Sequence, residues 1–262
     1  MNKIVLAQLA LAIFALPVSA EQWSKTYAIS NSPDLRIETT DANIHVDTWD
    51  QKTIEANITT TNYKIGHGGL TLEEHQTGDT VEINLRFPHE FHIGNFISHR
   101  VDIDIHMPRQ GRVNLHTGDG KIEIAEFTGE MDLSSGDGSE EIHRVEGSVH
   151  ASTGDGHINA DGKFDALSLK TGDGRLDVRA LAGSKVADEW TLHTGDGSVS
   201  LELPQDLAAD LHLHTGDGHI DVDVPIASEG RISGNDIHGK LNGGGKLISV
   251  QTGDGSINLH KG

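Results

Sequence analysis

Cysteine is absent from the 262-residue chain. No disulfide can brace it, so stability in an oxidising compartment must come from packed apolar side chains. The same absence excludes lipid attachment through a cysteine behind a leader. Aromatic residues make up 4% of the chain, too few for a large sugar-stacking platform; Trp23, Trp49 and Trp190 suffice only for a small one. Basic residues are scarce as well: 20 Lys and Arg stand against 40 Asp and Glu, a net charge of −20 at pH 7. Such a surface repels nucleic acid and anionic lipid headgroups, and attracts cations and basic surfaces. Beyond the first twenty residues no apolar run is long enough to span a bilayer.

Those first residues read as a secretory leader. Lys3 is the one charge before an apolar stretch, Ile4–Leu16, and Pro17-Val18-Ser19-Ala20 offers small residues at a cleavage site after Ala20. The expected mature chain, residues 21–262, is therefore extracytoplasmic: secreted, and periplasmic or at the cell surface.

What the sequence has in abundance is one tetrapeptide. Thr117-Gly118-Asp119-Gly120 returns as Ser135-Gly136-Asp137-Gly138, and then as TGDG from Thr153 and Thr171, at intervals of 18 residues. Further copies start at Thr194, Thr215 and Thr252, at intervals of 23, 21 and 37. Apolar residues occupy alternate positions on both sides, as in Val113-Asn114-Leu115-His116 before the first copy and Ile122-Glu123-Ile124 after it. Period-two alternation marks half-buried strands, and Gly-Asp-Gly between them marks a tight corner. A looser second corner follows at Phe127-Thr128-Gly129 and Val145-Glu146-Gly147. One such coil cannot bury its apolar face, whereas stacked coils share a core.

The expectation is an all-β chain: a β-solenoid (β-helix-like) of about 18-residue coils with TGDG corners, over residues 111–262. Residues 21–110 are expected to form an irregular β cap continuous with it, in which Leu35–Val46 follows the coil template with TTDA at its corner. Residues 179–189 and 202–210 lengthen the loose corner, and residues 232–237 read as a degraded coil. Glu140 is the anomaly, because it holds the core-facing slot that Ile122 fills one coil earlier; a bulge or an outward twist is expected there.

The opening strand pair Leu35–Val46, the run Val46-Asp47-Thr48-Trp49-Asp50, the strand Val101–Pro108 and the repeated Thr-Gly-x-Gly coils together resemble a bacterial putative-adhesin family of unknown function. The resemblance covers roughly residues 30–260. It implies a β-solenoid fold and a surface or periplasmic role, and it carries over no catalytic residue.

Candidate sites follow from the stacking. Asp119, Asp137, Asp155, Asp173 and Asp196, continued by Asp217 and Asp254, should form a ladder along one corner. Carboxylates about 4.8 Å apart repel by roughly 1 kcal/mol per pair in water and several times that near a protein surface. Amides of the same turn, or bridging calcium ions, could offset this. His193 and His214 precede TGDG in successive copies and should stack, with His212 and His219 nearby, as candidate zinc or copper ligands. Glu123 and Glu141 match in adjacent coils at a spacing suited to glycoside hydrolysis, as Asn159 and Asp177 do in position, but no basic residues converge on them. The corner threonines should pack their methyls inward while their hydroxyls bond along the stack.

The functional expectation is a non-enzymatic scaffold or adhesive surface, binding an envelope or cell-surface protein or glycan, with no required cofactor and with oligomers formed through the terminal coils. The alternatives are a calcium- or zinc/copper-binding module and, third, a polysaccharide-active enzyme.

Overall fold

The computed structural model describes residues 20–66, 68–88, 100–228 and 234–262. The leader expected over residues 1–20 lies outside them except for Ala20. No helix occurs among the described residues, and the chain is all-β. In chain order the strands begin with β1 (Ala20–Ala28), β2 (Asp34–Thr39), β3 (Asn43–Trp49), β4 (Thr53–Thr61), β5 (Thr71–Thr77), β6 (Thr80–Arg86) and β7 (Arg100–Pro108). Next come β8 (Gln110–Thr117), β9 (Ile122–Ala125), β10 (Thr128–Ser135), β11 (Glu140–Thr153), β12 (Ile158–Thr171), β13 (Leu176–Ala180), β14 (Trp190–Thr194) and β15 (Val199–Leu203). The last six are β16 (Ala209–Thr215), β17 (Ile220–Val222), β18 (Ala227–Ser228), β19 (Asp236–Leu241), β20 (Leu247–Thr252) and β21 (Ile257–Lys261).

The repeat dictates a solenoid-like stack. Ser135 lies beside both Thr117 and Thr153, Thr153 beside Thr171, and Thr171 beside Thr194, all in parallel register. Strands before the corner form one face and strands after it form the other. β11 and β12 run through the second corner and so belong to both faces. There Gly129 and Gly147 adopt φ of 142° and 125°, which only glycine takes without strain, and stack on each other and on Gly111.

The stacking order is not the chain order. β14 pairs with β20, and β20 with β16. On the other face β15 pairs with β21, and β21 with β17. The last coil of the sequence, β20–β21, is thus inserted between the two that precede it. The first coil shows the same device: β2–β3 sits between β8–β9 on one side and β6 with β7 on the other. Antiparallel strands close both ends. β5 lies on β6, β4 on β7 and β1 on β4 at one end; β19 lies on β16 and β18 on β19 at the other. These strands cover ladder edges that would otherwise offer unpaired backbone groups. The degraded coil expected over residues 232–237 is corrected by the same pairing. Its described part enters β19, which runs antiparallel to β16 and not parallel to a preceding coil.

Apolar columns fill the interior. On one face Leu35, Val113, Met131, Val149, Leu167 and Trp190 follow one another, all buried. On the other, Ile124, Ile142, Ala160, Val178 and Leu201 do the same. A fully buried Leu, Ile, Val or Met side chain contributes about 1.5–3 kcal/mol, so the stack as a whole, and not any single coil, holds the fold.

Glu140 breaks the column. It pairs in register with Ile122 on one side and Ile158 on the other and is fully buried. No bulge or twist removes it; the register shifts of β11 fall later, at Ile142/Val145 and Gly147/Ser148, where the second corner bends the strand. Neither carboxyl oxygen has a hydrogen-bond partner. Burial pushes its pKa up to about 8; the backbones of Ser135 and Ser152 pull the other way without reaching hydrogen-bond geometry, and Asp132 adds a small upward push.

Candidate functional site

The TGDG corner is explained by how closely the coils approach. At Gly174 a β-carbon would overlap the carbonyl oxygen of Gly156, and the glycines at the same place in the other corners meet the same obstacle. None of these glycines has a positive φ. They are required by contact with the next coil and not by a turn that needs positive φ. The threonine works in two directions. Thr171 Oγ1 accepts from the Gly174 amide at 3.1 Å and donates to the Gly156 carbonyl at 2.9 Å. Thr153, Thr194, Thr252, Thr215 and Ser135 repeat the arrangement.

The aspartate between the glycines is left facing water. All seven corner aspartates are exposed, and the amide of each copy's last glycine is taken by the threonine or serine hydroxyl, so the expected Asp-to-own-turn bonding is not what holds the corner. Their order along the edge is Asp119, Asp137, Asp155, Asp173, Asp196, Asp254 and Asp217, with Asp41 ahead of Asp119. Burial raises the Asp41 pKa, and the charge of Asp119 and a hydrogen bond shared with it raise it further. The row is a continuous acidic edge.

His193 and His214 are not neighbours. Gln251 of the inserted β20 lies between them, paired with each. His214 belongs instead to a group on the β16–β19 pair. His212 stands directly across from His238, and His214 across from Asp236. The His212 and His238 rings stack at 4.3 Å with 13° between their planes. Asp236 lies 3.1 Å from His238 Nε2 and 3.4 Å from His214 Nδ1. Donor atoms of His212, Asp236 and His238 all fall within 4.8 Å of one another, the one such group among the described residues. Burial holds His212 below the usual imidazole pKa; His238 and His214 push it the same way, and Asp236 opposes them. Asp236 and His238 carried a signal in the sequence, the alternation Asp-x-His matching His-x-His at 212–214. It became meaningful only once the two strands were known to pair antiparallel.

On the face built from β2, β6, β8, β10, β11 and β12, the outward side chains border an open groove of about 1040 Å³. Arg36, Asn114, Asp132, His150 and Ser168 follow one another along it, coil by coil. Arg36 pairs with Asp34 at 2.8 Å and Glu82 at 3.4 Å, and Arg112 pairs with Glu130. Glu123 and Glu141 are adjacent on the opposite face, but Glu123 pairs with Lys121 at 3.1 Å and Glu141 with His143 at 3.4 Å. Trp190 is fully buried against Phe164, ring centroids 6.0 Å apart, so the three tryptophans form no common sugar platform.

The model of the family described as Toastrack DUF4097 matches residues 161–260. This part of the chain is similar to the Toastrack family. The matched region takes in the corners from Thr171 onward, the inserted β20–β21 coil and the His212–Asp236–His238 group. Several solved structures are similar to the whole chain. A putative cell adhesion protein from Clostridium sporogenes shares 13% identity, with 93% of this chain and 100% of that one covered and a TM-score of 0.46. A putative lipid binding protein from Parabacteroides distasonis shares 15%, covering 91% and 96%, with a TM-score of 0.40. A putative adhesin from Parabacteroides merdae shares 10%, also over 91% and 96%, at 0.42. No curated protein matches the chain. Among the described residues no helix is long and apolar enough to cross a membrane.

Proposed function

We propose that the protein is an extracytoplasmic, non-enzymatic β-solenoid of about 18-residue TGDG coils that binds an envelope or cell-surface component, serving adhesion or scaffolding. In this reading the chain is cut after Ala20, residues 21–110 form the capping part and residues 111–262 the repeat. The observation that carries it is the groove: a single opening of about 1040 Å³ that crosses several coils of one regular face, lined by polar and charged side chains in rows. Such rows present a repeated surface to an extended ligand and converge on no single atom. The two carboxylates best placed for hydrolysis, Glu123 and Glu141, lie on the other face and are already paired with Lys121 and His143.

The test is co-sedimentation of the purified protein with isolated bacterial envelopes, before and after protease or glycan digestion. Saturable binding that one digestion removes supports the reading and assigns the partner's class. Absence of binding, or release of reducing ends from the glycan, contradicts it. The His212–Asp236–His238 group favours cation binding as a second property of the same scaffold.

A further inference from the structure

A sheet face usually carries polar side chains that point to solvent and do nothing in concert. The β16–β19 pair near the end of the stack departs from that. β16 offers His212 and His214 and β19 offers Asp236 and His238, so antiparallel register makes a two-by-two block on one face. The neighbouring strand β20 contributes only Ser249 and Gln251 beside it, so nothing of opposite charge from that side is available to the imidazoles.

We propose that His212, Asp236 and His238 bind a divalent transition ion of the zinc class, with His214 as the additional donor, and that the ion fastens the capping strand β19 to β16. Zinc takes imidazole nitrogen and carboxylate oxygen at about 2.0–2.2 Å in a tetrahedral set, which separates the donors by roughly 3.4 Å. Asp236 already stands 3.1 Å from His238 and 3.4 Å from His214. One donor atom each of His212, Asp236 and His238 lies within 4.8 Å of the other two. The stacked rings of His212 and His238, 4.3 Å apart, disfavour two imidazolium charges at once. Nitrogen donors exclude calcium and magnesium, which take oxygen. The group is half-buried to exposed, which leaves an ion free to enter. A cap held this way resists peeling from the end of the stack, where one strand of the pair has no coil beyond it.

The competing account is a set of histidine–aspartate ion pairs with no ion. Cobalt(II) titration of the untagged protein, followed by visible absorption, separates the two. Ligand-field bands that saturate at one equivalent and disappear on adding one equivalent of zinc are expected. His212→Ala and His238→Gln should each weaken binding about 100-fold or more, since even outer-shell partners of a metal are worth 10–100-fold. His193→Ala and Asp196→Asn should leave it unchanged. If either histidine variant fails to fold, nitrogen-15 NMR of the wild type decides: zinc should shift three or four of the 17 histidines. Absence of saturation to millimolar metal, bands insensitive to His212 and His238, or shifts spread over most histidines would overturn the site.

Discussion

Replacing Glu140 by isoleucine should make the protein more stable, and by an amount that depends on pH. The side chain sits between Ile122 and Ile158 in a column of apolar residues, without a hydrogen-bond partner. Its pKa moves from 4.5 in the unfolded chain to about 8 in the folded one. The folded state therefore holds a proton that the unfolded state releases between those values. Stability from this group is fully present below pH 4.5 and is lost as pH rises through about 8. At 1.36 kcal/mol per pH unit the loss is about 5 kcal/mol above pH 8, of which about 3 is already felt at pH 7. Glu140→Ile removes the whole dependence and fills the slot. In a chain of this length about 5 kcal/mol corresponds to roughly 10–20 °C in Tm. The assay is the melting temperature of wild type and Glu140→Ile from pH 4 to 9. Other carboxylates titrate in both proteins and cancel in the difference, so the gap should widen steadily between pH 4.5 and 8. A gap that stays flat over that range would refute the reasoning, because it would mean that the carboxyl keeps its ordinary pKa.

Three further outcomes are expected. Thr171→Val strands the Gly174 amide and the Gly156 carbonyl, at about 1–3 kcal/mol for each buried group, while Thr171→Ser should be nearly neutral because Ser135 fills the same role in its own corner; urea denaturation measures both. Gly174→Ala should cost about 1–3 kcal/mol or more through its clash with Gly156, whereas Asp173→Asn, at an exposed position, should change stability by no more than about 0.5 kcal/mol in the same assay. Deleting residues 247–262 removes the inserted coil that separates β14 from β16 and β15 from β17; hydrogen exchange should then show loss of protection over β16, β17 and β19 with the coils before β14 retained.

Much of the architecture was legible because the repeat forces it. Once TGDG returns every 18 residues between alternating strands, stacked coils are the arrangement that buries the apolar positions. The role of the threonines followed from parity alone. The order of the last coils was not legible, because the segments starting at Ala209 and Leu247 carry the same corner and the same alternation, and either fits beside β14. Chain order suggested the wrong one, and with it the pairing of His193 with His214. The reason for the corner glycines was also hidden: close approach by a neighbouring coil leaves no local mark different from a turn that needs positive φ. Glu140 stood out as an anomaly, but only the register showed that the strand keeps it inward. The His212–Asp236–His238 group depended on an antiparallel pairing over a long connection, for which a parallel repeat gives no precedent.

The most direct test of the proposed function is a comparison of faces. Binding to isolated envelopes would be measured for wild type, for Arg36→Glu/Arg112→Glu in the groove, and for Glu123→Gln/Glu141→Gln on the opposite face. Reversing two groove charges should weaken binding about tenfold or more, as charge reversal at a recognition surface does, with the opposite-face variant indistinguishable from wild type. Unchanged binding by the groove variant, or loss confined to the opposite face, would contradict the assignment of the groove.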